Sequence, residues 1–141
     1  EIASAYGLVQ LDKLEHFNAV RQAHWDRVDG FFADQPSAGE RARTTPGAQT
    51  TWMRYPFVLP EGADRTEVQR SLERRGVSAL MVWTGNILRQ RGFAGIEHRA
   101  PAGGFPNADR VMDRALSVPT HHAMSSDDVG FVIEVLGDTL L

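Results

Sequence analysis

From Ile2 to Phe32, apolar residues recur at helical spacing, with Leu11, Leu14, Phe17, Val28 and Phe31 or Phe32 sharing a broad face around Arg21 and Trp25. The spacing predicts one long helix, or two with a break. It gives way at Asp34-Gln-Pro-Ser-Ala-Gly39, where proline, glycine and small polar residues supply turn chemistry, so 35–50 reads as a linker or exposed loop. Thr51 to Leu59 then alternates, which places Met53, Tyr55, Phe57 and Leu59 on one side of a strand. Pro56 has no N–H for a ladder and predicts an edge position.

Asp64 followed by Glu67 resembles a capping box, and Val68 and Leu72 continue an apolar helix face that ends at Gly76. Val77 to Trp83 reads as a mostly apolar strand, giving strand, helix, strand across 51–83. Residues 85–104 contain five of the thirteen glycines, which argues against continuous regular structure there; loops of that length in compact domains are usually functional or disordered. Asn107 is placed to cap a helix carrying Ala108, Val111, Met112 and Ala115. Leu116 to Val118 form a short strand before Pro119. Ser125 with Asp128 opens a final helix, where Val129, Val132, Ile133, Leu136 and Leu140 form one apolar stripe.

The 141 residues suffice for one domain with a real core, and 42% hydrophobic with 23% charged residues is an ordinary globular composition. A formal net charge of -3 argues against a dominant nucleic-acid surface, which requires clustered Lys and Arg. The absence of cysteine removes disulfides, thiolate nucleophiles and Cys-based zinc sites. No apolar run reaches the roughly 18 residues of a membrane span and no secretory pattern precedes the first helix, so the chain reads as cytoplasmic. Lys13 is the only lysine among fifteen basic residues, so a Schiff-base mechanism confined to this chain would have to use it.

Candidate chemistry concentrates in Val82 to Phe93. Trp83, Thr84, Gly85, Asn86, Arg89 and Arg91 offer an aromatic wall, a hydroxyl, a flexible turn, an amide and two guanidinium forks. That set suits a sugar hydroxyl beside a phosphate or carboxylate. The plainer reading makes the arginines solvated charges, Asn86 a turn residue and Trp83 a core residue. His121-His122 follows Pro119-Thr120; adjacent side chains on an extended chain point to opposite faces, so a shared metal is not expected. Glu97-His98 lacks the second histidine of a zinc helix, and no metal site is predicted. Lys13 reads as an exposed helix position, and no GxSxG, Walker or GxGxxG motif occurs.

Taken in order, three segments resemble the DegT/DnrJ/EryC1/StrS sugar aminotransferases. Ile2-Ala-Ser-Ala-Tyr-Gly-Leu-Val-Gln-Leu-Asp-Lys-Leu14 is similar to the helix that follows the family's cofactor lysine. Arg75-Gly-Val-Ser and Trp83-Thr-Gly-Asn-Ile-Leu-Arg-Gln90 resemble a strand and active-site loop of its small domain. Phe105-Pro-Asn-Ala-Asp-Arg-Val-Met112, Leu116-Ser-Val-Pro119 and Met124-Ser-Ser-Asp-Asp128 resemble its closing helix, strand and helix. The resemblance covers nearly the whole chain.

It implies the C-terminal portion of a fold-type-I enzyme that uses pyridoxal 5'-phosphate or pyridoxamine 5'-phosphate on a nucleotide-linked keto sugar, as a homodimer. The implied fold is an α/β small domain: a long N-terminal helix and a short, mainly antiparallel sheet packed by helices. On this reading 1–34 links to a large domain, 35–50 is linker and 51–141 is the small domain. Trp83, Thr84, Gly85, Asn86 and Arg89 are the implied substrate-binding residues, Arg89 taking an anionic group. The cofactor lysine or histidine is expected upstream of Glu1, so this chain contributes no catalytic residue, binds no cofactor alone and is inactive alone. Gly85-Asn86 followed by Arg89-Gln90 is nearer the branch of nucleotide-linked 4-keto-6-deoxyhexose 3-dehydrases, which replace that lysine with histidine. His121-His122 departs from either branch.

A rival reading is a stand-alone α/β binding or interaction module, which predicts a covered first helix; the family reading predicts exposed apolar groups around Tyr6 and Leu8. A nucleic-acid module is a weaker third, because a basic stripe with interleaved aromatics is missing.

Overall fold

The computed structural model describes residues 1–48 and 50–141; Gln49, within the expected linker, lies outside them. The N-terminal apolar periodicity becomes two helices, α1 (Ile2–Leu11) and α2 (Leu14–Asp34), with the break at Asp12-Lys13. There the Lys13 N–H turns back to Gln10 rather than to the residue four earlier, which interrupts the helical ladder. Of the two readings of the periodicity, one long helix or two with a break, the second holds. The two helices also differ in what they bury. No residue of α1 is buried, whereas α2 buries His24, Trp25, Val28 and Phe32.

The segment expected as linker is partly structured. A single helical turn at Pro36–Ala38 leads into a two-residue strand, β1 (Glu40–Arg41), and Ala38 is fully buried. The sheet therefore starts before residue 51. Its second strand, β2 (Arg54–Val58), pairs on one side with β1 and on the other with a strand at Ala115–Pro119. Pro56 is thus not on an edge strand, contrary to expectation. Leu59 N–H donates to the Arg114 carbonyl, so by alternation the ring nitrogen of Pro56 faces the β1 side, and the β1 pairing stops at Phe57. The proline sits where that ladder has already ended.

Helix α3 (Arg65–Arg74) is capped by Asp64, whose side chain accepts from the N–H groups of Thr66 and Glu67, and Gly76 follows at φ 85°. The apolar run after it forms only a short edge strand, β3 (Leu80–Met81), with both residues about half exposed. Two single turns follow, at Ile87–Arg89 and Arg91–Phe93, in the glycine-rich loop. Helix α4 (Pro106–Arg114) starts two residues earlier than expected: Phe105 rather than Asn107 is the cap and Pro106, whose missing N–H costs nothing there, is the first helical residue. Ala115 accordingly leaves the helix for β4 (Ala115–Pro119), whose first four residues are all buried. The final helix, α5 (Ser126–Leu140), opens with the full reciprocal capping box of Ser125 and Asp128.

The strands form one antiparallel sheet in the order β1-β2-β4-β3. Tyr55 opposes Val118 and Phe57 opposes Leu116, and this face carries the core with Val28, Phe32, Leu72, Val129, Val132, Val135 and Leu136. Phe32 stacks on Tyr55 at 5.4 Å and packs on Phe57 at 4.8 Å. Each such ring contributes roughly 1.5–3 kcal/mol by burial, so α2 is fastened to the sheet mainly here. Met53, expected beside them, is 73% exposed, because β2 begins after it. The other face of the sheet presents Arg54, Pro56 and Ser117.

Candidate functional site

The loop leaving β3 crosses to α4 and is pinned there. Gly85 has φ 64°, and a Cβ on it would lie 2.2 Å from Cβ of Met112, so glycine is required both by the backbone and by the close approach. Asn86, 7% exposed, spends its side chain locally: Nδ2 donates to Asp109 at 2.8 Å, and Oδ1 accepts from the Leu88 N–H at 3.0 Å. Arg89 reaches the same helix, donating to Asp109 at 3.3 Å and to Asp113 at 3.0 Å. The Gln90 amide donates to the Thr84 carbonyl at 2.7 Å.

This changes how the two most chemical residues of the loop are read. The Arg89 charge is already answered by two carboxylates, whose hydrogen bonds and charge raise its pKa further, while the Arg89 hydrogen bond is the main cause that lowers that of Asp113. Asn86 and Arg89 brace the loop on α4. The brace was legible in part: Asp109 and Asp113 are four residues apart, which places both carboxylates on one side of a helix.

What the brace holds outward is Trp83. Its side chain is 90% exposed, and its backbone sits at φ 52°, the only non-glycine residue with positive φ among those described. That conformation costs a bulky residue of the order of 1–2 kcal/mol, a strain usually retained where the chain is over-determined for function. Trp83 is therefore not core. Thr84, also exposed, stands beside it. The five expected site residues occupy one loop, but as two sets: Trp83 and Thr84 presented outward, Gly85, Asn86 and Arg89 turned onto α4.

Trp83 borders a groove of about 390 Å³ on this other sheet face, shared with Trp52, Met53, Arg54, Pro56 and Met81. The sequence reading missed this groove, because its walls come from β2, β3 and β4, and only the sheet order unites them. A larger recess of about 920 Å³ beside β1 includes no residue of the loop. Its polar centre is Asp29, which accepts from the Tyr55 hydroxyl at 2.7 Å and is paired with Arg41. Burial, then the hydrogen bond to Asp29, pushes the Tyr55 phenol well above its ordinary range.

The histidines do not follow the extended-chain expectation. His121 begins a turn closed by the Met124 N–H to its carbonyl, which brings the rings of His121 and His122 to 4.1 Å instead of opposite faces. His122 stacks on Phe17 of α2 at 3.9 Å and accepts from Arg21, and the His121 carbonyl accepts from His24 at 3.1 Å. Lys13 is exposed between α1 and α2. Among the described residues no three His, Cys, Asp or Glu side chains are grouped to hold a metal ion, and no helix is long and apolar enough to cross a membrane.

The chain thus combines a four-stranded antiparallel sheet, helices on its core face and an apolar first helix of which no residue is buried. Residues 1–137 match the model of the DegT/DnrJ/EryC1/StrS aminotransferase family, and the chain belongs to that family. It is 24% identical over 135 residues to the lipopolysaccharide biosynthesis protein RfbH of Salmonella typhimurium, covering 94% of this chain and 31% of that protein. It is 24% identical over 138 residues to the GDP-4-keto-6-deoxy-D-mannose 3-dehydratase of Escherichia coli O55:H7, covering 96% and 35%. Similar solved structures include a Helicobacter pylori aminotransferase involved in the biosynthesis of pseudoaminic acid (TM-score 0.84, 20% identity, 97% of this chain and 36% of that one). Another is the E. coli GDP-4-keto-6-deoxy-D-mannose-3-dehydratase with bound hydrated PLP (TM-score 0.80, 23% identity, 92% and 33%). The chain spans about a third of the length of the relatives it matches.

Proposed function

We propose that this chain is the C-terminal small domain of a pyridoxal- or pyridoxamine-phosphate enzyme that transfers an amino group to a nucleotide-linked keto sugar. The observation that carries this reading is the family match over 1–137 together with an α1 that has Ile2 89%, Tyr6 69% and Leu8 65% exposed. A helix apolar on several sides needs covering on several sides, and the family's large domain is the natural cover. The stand-alone module required a covered first helix and loses support on the same ground.

The residues of this chain do not by themselves fit the cofactor. The only lysine, Lys13, is exposed at a helix junction and does not line the groove. The cofactor would supply its chemistry from the remainder of the protein, where the anchoring lysine or histidine is placed, and this domain contributes a wall. In that wall Trp83 and Thr84 face the substrate, and Gly85, Asn86 and Arg89 hold them at the right height. Arg89 takes on an anionic group only by leaving Asp109 or Asp113. Residues 1–34 form the link to the large domain, and the sheet and helices that follow form the small domain.

A second reading, 3-dehydration of a nucleotide-linked 4-keto-6-deoxyhexose, is favoured by the 24% identity to a 3-dehydratase across 96% of this chain. One experiment separates the two. The full-length protein, incubated with cofactor, glutamate and nucleotide-linked 4-keto sugars, is expected to yield an amino sugar. A 3-deoxy product would select the second reading, and no turnover with any such sugar would overturn both.

A further inference from the structure

Arg54 is the cation in the groove, and it has no acid. Its Nε donates to the Ser117 hydroxyl at 3.0 Å, and Nη2 donates to the carbonyls of Ser78 and Ser117, both at 2.8 Å. Among the described residues no carboxylate lies within ion-pair distance of it, and it is the one arginine that lines this groove. Burial lowers its pKa, with no charge partner acting against that. The three bonds engage Nε and Nη2 and fix the guanidinium plane, so that Nη1 has no hydrogen-bond partner among the described residues while Arg54 lines the groove. A half-buried, oriented cation without a counter-ion is an arrangement made for an anion supplied from outside.

The walls beside it are aromatic and sulfur-bearing. Trp83 stands 90% exposed on one side and Met53 is 73% exposed, with Met81 at 54%. Such surfaces accept a flat ring by stacking and dispersion. An anion next to a planar ring is the chemistry of a nucleotide.

We propose that the groove between Arg54 and Trp83 is the subsite for the nucleoside diphosphate part of the substrate, with a phosphate on Nη1 of Arg54 and the base against Trp83. This rests on the reading of a nucleotide-linked substrate given above and adds where, on this domain, the nucleotide lies. It gives the anion to Arg54, which is free, in place of Arg89, which is paired. A polypeptide segment laid across the groove would have to bring its own carboxylate to Arg54; an amino-donor carboxylate would leave the aromatic wall without use.

The test uses the full-length holoenzyme. Steady-state kinetics with the nucleotide-linked keto sugar are combined with calorimetric binding of GDP, UDP and TDP. For Arg54→Ala, the KM for the sugar nucleotide and the Kd of the matching nucleoside diphosphate are expected to rise about tenfold or more, a charge-assisted contact being lost. The KM for the amino donor is expected to stay within about twofold of the parent value. Arg54→Lys should recover part of the loss, since a point charge replaces a fork. Trp83→Ala should weaken nucleoside diphosphate but not inorganic pyrophosphate. Arg70→Ala, on the exposed side of α3, should change neither constant.

Because Arg54 also ties β2 to β4, thermal melting accompanies each variant. If Arg54→Ala lowers the melting temperature or splits the oligomer while the Kd of folded protein is unchanged, the groove packs polypeptide and the proposal is overturned. Normal turnover with unchanged KM and Kd in both Arg54→Ala and Trp83→Ala overturns the subsite and leaves the enzyme reading intact. A parent enzyme that neither binds a nucleoside diphosphate nor turns over a nucleotide-linked sugar overturns both.

Discussion

The amide of Asn86 donates to Asp109 at 2.8 Å, and through this bond a glycine-rich loop that begins at a sheet edge is bolted to the first turns of α4. The same side chain caps the Ile87–Arg89 turn. Replacing Asn86 with Ala removes both interactions at a site only 7% exposed. A loss of about 1–3 kcal/mol is expected in urea unfolding, together with lower turnover, because Trp83 is no longer held outward. Unchanged stability would contradict the brace.

Gly85 leaves no room for a side chain. Gly85→Ala must move Met112, whose Cβ stands 2.2 Å from the would-be methyl, and must also hold φ 64° with a Cβ present. The cost expected from overpacking and backbone strain together is about 2 kcal/mol or more. Pairing the change with Met112→Ala should return little of it, because alanine keeps the Cα and Cβ that the added methyl meets at 2.5 and 2.2 Å, and a double-mutant cycle measures this.

Tyr55 carries a different kind of prediction. Its phenol is pushed above the ordinary value of about 10, first by burial and then by the hydrogen bond to Asp29, so the folded state favours the neutral form. Stability from this group is fully present below about pH 10 and is lost as pH rises through the higher folded value. Unfolding free energy measured between pH 9 and about 12 should fall in the parent. Tyr55→Phe should fall less steeply, from a starting stability about 1–2 kcal/mol lower at pH 7.

His122 works in the opposite direction. Burial is the first cause that lowers its pKa below the usual 6.5, followed by repulsion from His121, Arg21 and His16. Its stacking on Phe17 and the hydrogen bond from Arg21 hold it among these groups of α2 and its own turn. Its contribution is present above about pH 6.5 and is lost as pH falls through the lower folded value. Replacing His122 with Gln should flatten the loss of stability between pH 6.5 and about 5. An equally steep loss would place the acid sensitivity elsewhere.

Much of the secondary structure could be read from local signals. Asp64, Gly76, Ser125 and Asp128 mark helix ends by their own hydrogen bonds or backbone freedom, and they lie where expected. The apolar alternation around Tyr55 and Phe57 and the stripe through Val129, Val132 and Leu136 point to the core because each is a short-range pattern. Long-range pairing was less legible. The placement of β2 inside the sheet depends on β1, two charged residues with no strand signature of their own. The apolar run at Val77 to Trp83 indicated burial only at its start, where Val77 and Ala79 join the core; its strand lies at the sheet edge, where Leu80 and Met81 are about half exposed.

By itself, the sequence determined the helices, the two central strands and the resemblance that the family match over 1–137 bears out. These follow from residue types and spacings that act over a few positions. Only the tertiary structure decided that Arg89 is held by Asp109 and Asp113 while Arg54 has no counter-ion among the described residues. Ionic pairing depends on which side chains the fold brings within a few ångströms, and Arg89 finds its acids 20 and 24 residues away. The bonds of Arg54 run 24 and 63 residues along the chain, to Ser78 and Ser117, and none of them ends on an acid.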